Sequence, residues 1–358
     1  MKILHRLVIT SFLRIWIVAL FASLSLFLSA DFFEKIDDLI EMKVSVGTGI
    51  HYFAFRIPYM ISQIFAPSLL IAAMLLYIQL HRHRESTAMK AAGISPVTYT
   101  IPTMVVGFIL TVCFFFFREY VERPLFQSAE NLWLSKKASL RHGSARLKDG
   151  ELWYATNKMV MHMKYYDPQK QAFHGVSIFF LDENFGLQYQ IEADIMQWAG
   201  GKWYLYNVRK LELSGGRIRV YSEDMENLSI NERPEDFAAI RSLPETVTIN
   251  QLVHLIRLMK QEKVNPRPYV LELFMRMAEC LMALIALATA TICANNQFFA
   301  SNVIKIALGG TFLYAVTFGM LQVGFTLATA GYISPVTGTT FPLIFSATFL
   351  AWLYRSMD

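Results

Sequence analysis

The segment from Gln188 to Val220, QYQIEADIMQWAGGKWYLYNVRKLELSGGRIRV, is where the chain changes rhythm. Tyr189, Ile191, Ala193 and Ile195 alternate with Gln188, Gln190, Glu192 and Asp194; Trp203 and Leu205 alternate with Tyr204 and Tyr206, and Ile218 and Val220 with Arg217 and Arg219. A period of two sends successive side chains to opposite faces, so each run reads as a strand with one buried face. Turn signals lie between and before them, at Ala199-Gly200-Gly201, Ser214-Gly215-Gly216, Asp167-Pro168 and Asp182 to Gly186. Such punctuation predicts hairpins in an antiparallel meander or sandwich, and an all-β domain over 123–248.

Outward from this polar middle, which runs from about Arg123 to Pro266, the chain becomes continuously apolar. Three runs precede it, Val8 to Ala30, Ile57 to Leu80 and Tyr99 to Phe117, and three follow, Leu271 to Cys293, Val303 to Ala330 and Val336 to Leu353. Runs of about 18 or more apolar residues match a bilayer core of roughly 30 Å. A mean hydropathy of +0.35 and only 17% charged residues agree. The predicted fold is an α-helical polytopic membrane protein with six transmembrane helices and one inserted all-β domain. Helices one to three occupy 1–122 and helices four to six 267–358. Between domain and membrane, Leu252, Leu255, Ile256 and Met259 share one face of a helical repeat, predicting a connector helix within 249–266.

The net charge of +5 does not point to nucleic acid, because the basic residues form no single stripe. Cys113, Cys280 and Cys293 all fall in apolar runs without metal-ligand spacing, so neither a disulfide nor a metal site is expected. Phosphate-loop, H-E-x-x-H and G-x-S-x-G signatures are missing, so no cofactor and no catalytic residue is expected. Lys2 and Arg6 precede an apolar run too long for a signal peptide, and it reads as a retained helix.

Charge asymmetry between short loops gives an orientation. The loop after span one carries Asp31, Glu34, Asp37, Asp38 and Glu41 against Lys35 and Lys43, whereas the next carries Arg82, Arg84 and Lys90 against Glu85. Both termini are expected in the cytoplasm and the insert outside it. In the second loop, Arg84 to Pro96 reads as a short helix of small residues, stopped by Gly93 as a left-handed cap, with Glu85 complementing the dipole of its first turn. Two readings stand at this level: a solvated elbow, or a helix of about 82–95 that couples to a cytoplasmic motor. His81 and His83, interleaved with arginines, read as a basic anchor.

Charges inside the apolar runs need partners, since an ionisable group at the bilayer centre costs at least about 2.5 kcal/mol. Glu272, Arg276 and Glu279 share one helical face of span four. They can pair with one another or line a polar route. Arg14 and Lys305, near the ends of spans, can snorkel.

The chain resembles the LptF/LptG family of lipopolysaccharide export permeases over nearly its whole length. The likeness rests on Pro58 and Pro67, the E-x-x-x-M-K-A-x-G-I-S run from Glu85 to Ser95, Glu119 and Pro124, and Pro342 with Ala351-Trp352. It implies a periplasmic β-jellyroll-like insert in a bacterial inner-membrane protein, and a heterodimer with a second, LptF-like permease on a dimeric, LptB-like ABC ATPase. Periplasmic bridge proteins, LptC-like and LptA-like, would receive lipopolysaccharide from the β domain. Chain length and the outer end of span one favour the G-type subunit. The resemblance favours motor coupling for the second loop, through Arg84, Glu85, Met89 and Gly93. It also implies that spans one and five line a lipid cavity and gate, for which Phe32, Phe33, Lys35, Glu272, Arg276, Phe312, Phe318 and Leu321 are the candidates. Trp203, Leu205, Ile218 and Val220 are candidates for an acyl-chain groove in the β domain. The rival reading is a membrane-anchored periplasmic binding or signalling protein without transport activity.

Overall fold

In the computed structural model, which describes residues 2–41, 44–139, 143–148, 151–156, 159–167, 170–182, 186–214, 217–228, 243–261, 265–296, 299 and 302–355, six helices are long and apolar enough to cross a membrane. They are α1 (Lys2–Glu41), α2 (Val46–Arg82), α4 (Pro96–Phe117), α8 (Arg267–Asn295), α9 (Val303–Ala330) and α10 (Pro335–Arg355). Each apolar run of the sequence lies within one of them. α1 and α2 extend well past their runs because helix formation does not stop where apolarity does: beyond Ala30, the buried Leu39 still gives the helix a packing face.

The chain divides into two compact units. The first comprises 1–34, 57–122 and 267–358. Its centre is α2 against α8, the two most buried spans. Phe65, Leu69, Ala72, Ala73, Leu76 and Tyr77 of α2 share one core cluster with Ala278, Met282, Ala283, Ala286, Leu287 and Ala290 of α8. Small side chains on α8 let its backbone come close to α4, α9 and α10, which is how helices associate where lipid offers no hydrophobic drive. α1 joins through Val8, Phe12 and Trp16; Trp16 donates to Ser68 at 3.1 Å and meets Phe65 edge to face. α9 and α10 cross at Gly324 and Gly338, so closely that a Cβ on Gly324 would lie 2.0 Å from the Gly338 carbonyl oxygen.

α4 does not end at the membrane border. A five-residue π-helical segment, Arg118–Glu122, leads into α5 (Arg123–Ser139), so the first part of the insert is helical and the sheet begins only at Gly143. The second unit comprises 35–56 and 123–266. Its sheet contains β1 (Gly143–Lys148), β2 (Glu151–Thr156), β3 (Met159–Asp167), β4 (Ala172–Leu181), β5 (Leu187–Ala199), β6 (Lys202–Ser214) and β7 (Arg217–Leu228). Each strand is antiparallel to the next, so the described strands form a seven-stranded meander.

The turn signals of the sequence sit between those strands. Ala199 pairs with Lys202 across Gly200 and Gly201, both at positive φ as a primed hairpin turn requires. Ser214 pairs with Arg217 across Gly215 and Gly216, which, like Pro168, lie outside the described residues. One face is a continuous core containing Leu152, Met161, Phe173, Ile191, Trp203 and Leu205. α6 (Leu243–Thr246) and α7 (Ile249–Gln261) follow, and α7 buries Leu252, Leu255, Ile256 and Met259, the face its sequence period defines.

Candidate functional site

The stretch between α2 and α4 is an elbow held by hydrogen bonds. Arg84 takes a left-handed conformation (φ 57, ψ 14), strained for a residue with a side chain, and turns the chain into α3 (Glu85–Ala91). α3 closes with a Schellman arrangement: the amide of Ile94 donates to the carbonyl of Met89 at 2.9 Å and that of Gly93 to Lys90 at 3.0 Å, with Gly93 at φ 75. Ser95 then caps α4, its hydroxyl accepting from the Val97 amide.

The inner face of α3 is tied down. Ser86 is buried and shares a hydrogen bond with the Tyr99 hydroxyl at 3.2 Å, and Tyr99 donates to Asn295 at 2.8 Å, joining the elbow to α4 and α8. His81 bonds the Ala294 carbonyl oxygen at 2.8 Å. Met89 packs partly against the helical core, whereas Glu85, Thr87, Ala88, Lys90 and Ala91 are exposed. Of the four residues singled out from the sequence here, Arg84 and Gly93 shape the turn, Met89 seats it and Glu85 is presented outward.

A second constellation lies where α2, α4 with its π segment, and α8 meet. Two guanidiniums, both buried, face four carboxylates. Arg118 pairs with Glu122 at 3.0 Å and with Glu279, and the fully buried Glu122 also accepts from Ser62 of α2. Arg276 pairs with Glu272 at 2.9 Å and with Glu119 at 3.7 Å. The π segment carries Arg118, Glu119 and Glu122, the kind of helix irregularity often found at functional sites. Glu279 is more exposed than the other members and borders a pocket lined also by Gln63, Gln322, Tyr314, Phe318 and Leu321. The arrangement holds three helices together and offers one carboxylate, two amides and the hydroxyl-bearing Ser62 and Tyr314 beside apolar walls such as Phe114 and Phe318.

The gate candidates separate accordingly. Phe318 and Leu321 line that pocket; Phe312, on the same helix, is largely exposed. Glu272 and Arg276 are paired with each other, while Glu279 turns to Arg118. Phe32 and Phe33 stack edge to face and are both exposed. Lys35, in the other unit, places its ammonium 5.4 Å from the Trp133 ring centre. In the sheet, Trp203 and Leu205 are fully buried, with Trp203 against Phe173 and Trp198. Val220 is exposed on β7, and the side chain of Ile218 lies outside the described residues.

Sequence reasoning missed Ser62, Glu122, Ser86, Tyr99 and Asn295. By sequence, Phe114 to Phe117 followed by Arg118 and Glu119 reads only as an aromatic-then-charged membrane border, although the spacing of Arg118 and Glu122 is a signal for an ion pair inside a continuing helix. Among the described residues no three His, Cys, Asp or Glu side chains are grouped to hold a metal ion, and the three cysteines are free.

A search against curated proteins returned no match. A family model described as lipopolysaccharide export system permease LptF/LptG matches residues 6–356. That match takes in all six apolar helices, the elbow, the buried charges and the inserted sheet, and the chain therefore belongs to the LptF/LptG family of lipopolysaccharide export permeases.

Proposed function

We propose that the chain is the permease subunit of an ABC exporter that extracts lipopolysaccharide from the inner membrane and passes it through its β domain to periplasmic bridge proteins. The elbow carries this reading: a seven-residue helix, pinned from beneath by Ser86, Tyr99 and Asn295, presents Glu85 to the side where an ATPase would dock. A pinned knob of this kind transmits a push, whereas a solvated loop would absorb it. Glu85 makes the contact, on a helix that Arg84 and Gly93 shape and Met89 seats, and hydrolysis takes place on the partner.

The burial of the spans supports the placement of the gate. Only 17% of the most apolar window of α1 and 22% of that of α9 is buried, against 56% for α2 and α8. The faces so left open on α1 and α9 suit a second permease and an entering lipid. Phe32, Phe33, Phe312 and Phe318 contribute apolar surface to that route and the buried Leu321 backs it, while Glu272 and Arg276 stabilise its polar wall. β7, an edge of the described sheet with Val220, Tyr221 and Met225 exposed, is placed to extend into a neighbour's sheet. The acidic C-terminal turns of α1 and the basic elbow support the reading that both termini are cytoplasmic and the sheet periplasmic.

The test begins with the tagged chain purified in mild detergent and its companions identified by mass spectrometry. An ABC ATPase dimer, a second six-span permease and lipopolysaccharide are expected. Within that complex, Glu85→Ala is expected to lower ATP-driven lipid release at least tenfold with assembly and thermal unfolding unchanged. Release at the wild-type rate, or recovery of the chain with a soluble periplasmic protein alone, overturns the proposal in favour of a membrane anchor.

A further inference from the structure

A groove runs between α8 and α10 on the helical unit, outside the buried charge cluster, the elbow and the open faces of α1 and α9. Leu281, Leu284, Ile285, Ala288 and Ile292 follow one face of α8, and Leu343, Ala347, Leu350 and Ala351 face them from α10. The alanines leave a hollow of about 600 Å³ between the taller leucines and isoleucines. Its walls are almost wholly apolar. Arg355, in the last turn of α10, is the one charged residue among those lining it, and Tyr354 lies beside it. Arg355 is exposed and has no ion-pair partner among the described residues.

The dimensions narrow the occupant. From Leu281 to Ile292 the groove advances eleven residues along α8, about 16 Å at ~1.5 Å per residue. One leaflet of the hydrocarbon core is about 15 Å deep, half of the roughly 30 Å total. The groove is thus one acyl chain long and ends at a cation. A transmembrane partner helix would run the full depth of the bilayer, about twice the length of this groove. We propose that this groove binds an anionic phospholipid, one acyl chain lying between α8 and α10 and the phosphate on Arg355. With the C-terminus in the cytoplasm, as argued above, the lipid belongs to the cytoplasmic leaflet and is distinct from lipopolysaccharide drawn from the opposite one.

The experiment uses the purified complex in nanodiscs of phosphatidylethanolamine and phosphatidylglycerol, transferred to mild detergent, with the retained lipids counted by native mass spectrometry. Wild type is expected to keep one phosphatidylglycerol per chain more than Ala347→Trp, whose indole fills the exposed hollow. Arg355→Gln is expected to keep a lipid there but to lose selection of phosphatidylglycerol over phosphatidylethanolamine by about fivefold or more. Ile344, on α10, also lines the groove, and Ile344→Phe, a smaller filling, serves where the tryptophan variant lowers the unfolding temperature. Equal lipid counts in wild type and both filled variants overturn the proposal. So does loss of a partner subunit from the filled variants, which makes the groove a protein interface, or the finding that the displaced lipid is lipopolysaccharide.

Discussion

Gly324→Ala adds one methyl group where α9 and α10 touch, and the geometry sets the sign of its effect. The new Cβ would stand 2.0 Å from the carbonyl oxygen of Gly338, and from the other side a Cβ on Gly338 would meet the Gly324 oxygen at 2.6 Å. Carbon and carbonyl oxygen ordinarily approach no closer than about 3.3 Å, so the helices must part by more than ~1 Å. The obstacle is backbone, which cannot rotate aside. Overpacking of this kind costs about 1–3 kcal/mol. Parting also threatens the buried hydrogen bond from Ser346 to Thr317, 2.9 Å long and contributing about 1 kcal/mol. Alanine's better helix propensity returns at most about 1 kcal/mol, leaving a net loss of about 1–3 kcal/mol. Gly319, on the same helix, is the control, because a Cβ there meets nothing within 4 Å and only the propensity gain of up to about 1 kcal/mol remains. The two alanine variants should therefore differ by about 2–4 kcal/mol in the detergent-solubilised chain, read from thermal unfolding with loss of monodispersity. Equal stability of the two would refute the close crossing of α9 and α10.

Removing the carboxylate in Glu122→Ala strips Arg118 and Ser62 of a buried partner and should destabilise the chain by about 3–5 kcal/mol, with Arg118→Met in the same chain restoring much of the loss; thermal unfolding of single and double variants checks this. Gly93→Ala has open space around it but a φ of 75, so it should weaken the elbow by about 1–2 kcal/mol, read as faster hydrogen exchange in 85–96 with the amides of α2 and α8 unaffected. Trp203→Ala should cost the sheet about 3–5 kcal/mol and open it to limited proteolysis. Val220→Ser, on the exposed side of β7, should stay within about 0.5 kcal/mol of wild type in the same assay.

What could be read from the amino-acid order alone was whatever has a short period or a local rule. Six spans followed from unbroken apolar length, strands from alternation, the β5–β6 hairpin from Gly200-Gly201, and the end of α3 from Gly93, since each depends on backbone geometry within a few residues. α5 was missed because nothing local separates a helix that continues through a π segment from the start of a polar insert: Arg123 to Ser139 carries charges and Pro124, residues equally at home in a loop. Which partner each membrane charge takes was decided only by tertiary structure. Glu279 shares a helical face with Arg276 yet pairs with Arg118, and Glu122 takes its hydroxyl donor from Ser62, some sixty residues away in the chain. Likewise Phe318 meets the pocket while Phe312 on the same helix does not. Those outcomes depend on how far apart and at what rotation the helices pack. That is set by small residues meeting across the interface, as Gly324 meets Gly338, and no period along a single helix encodes it.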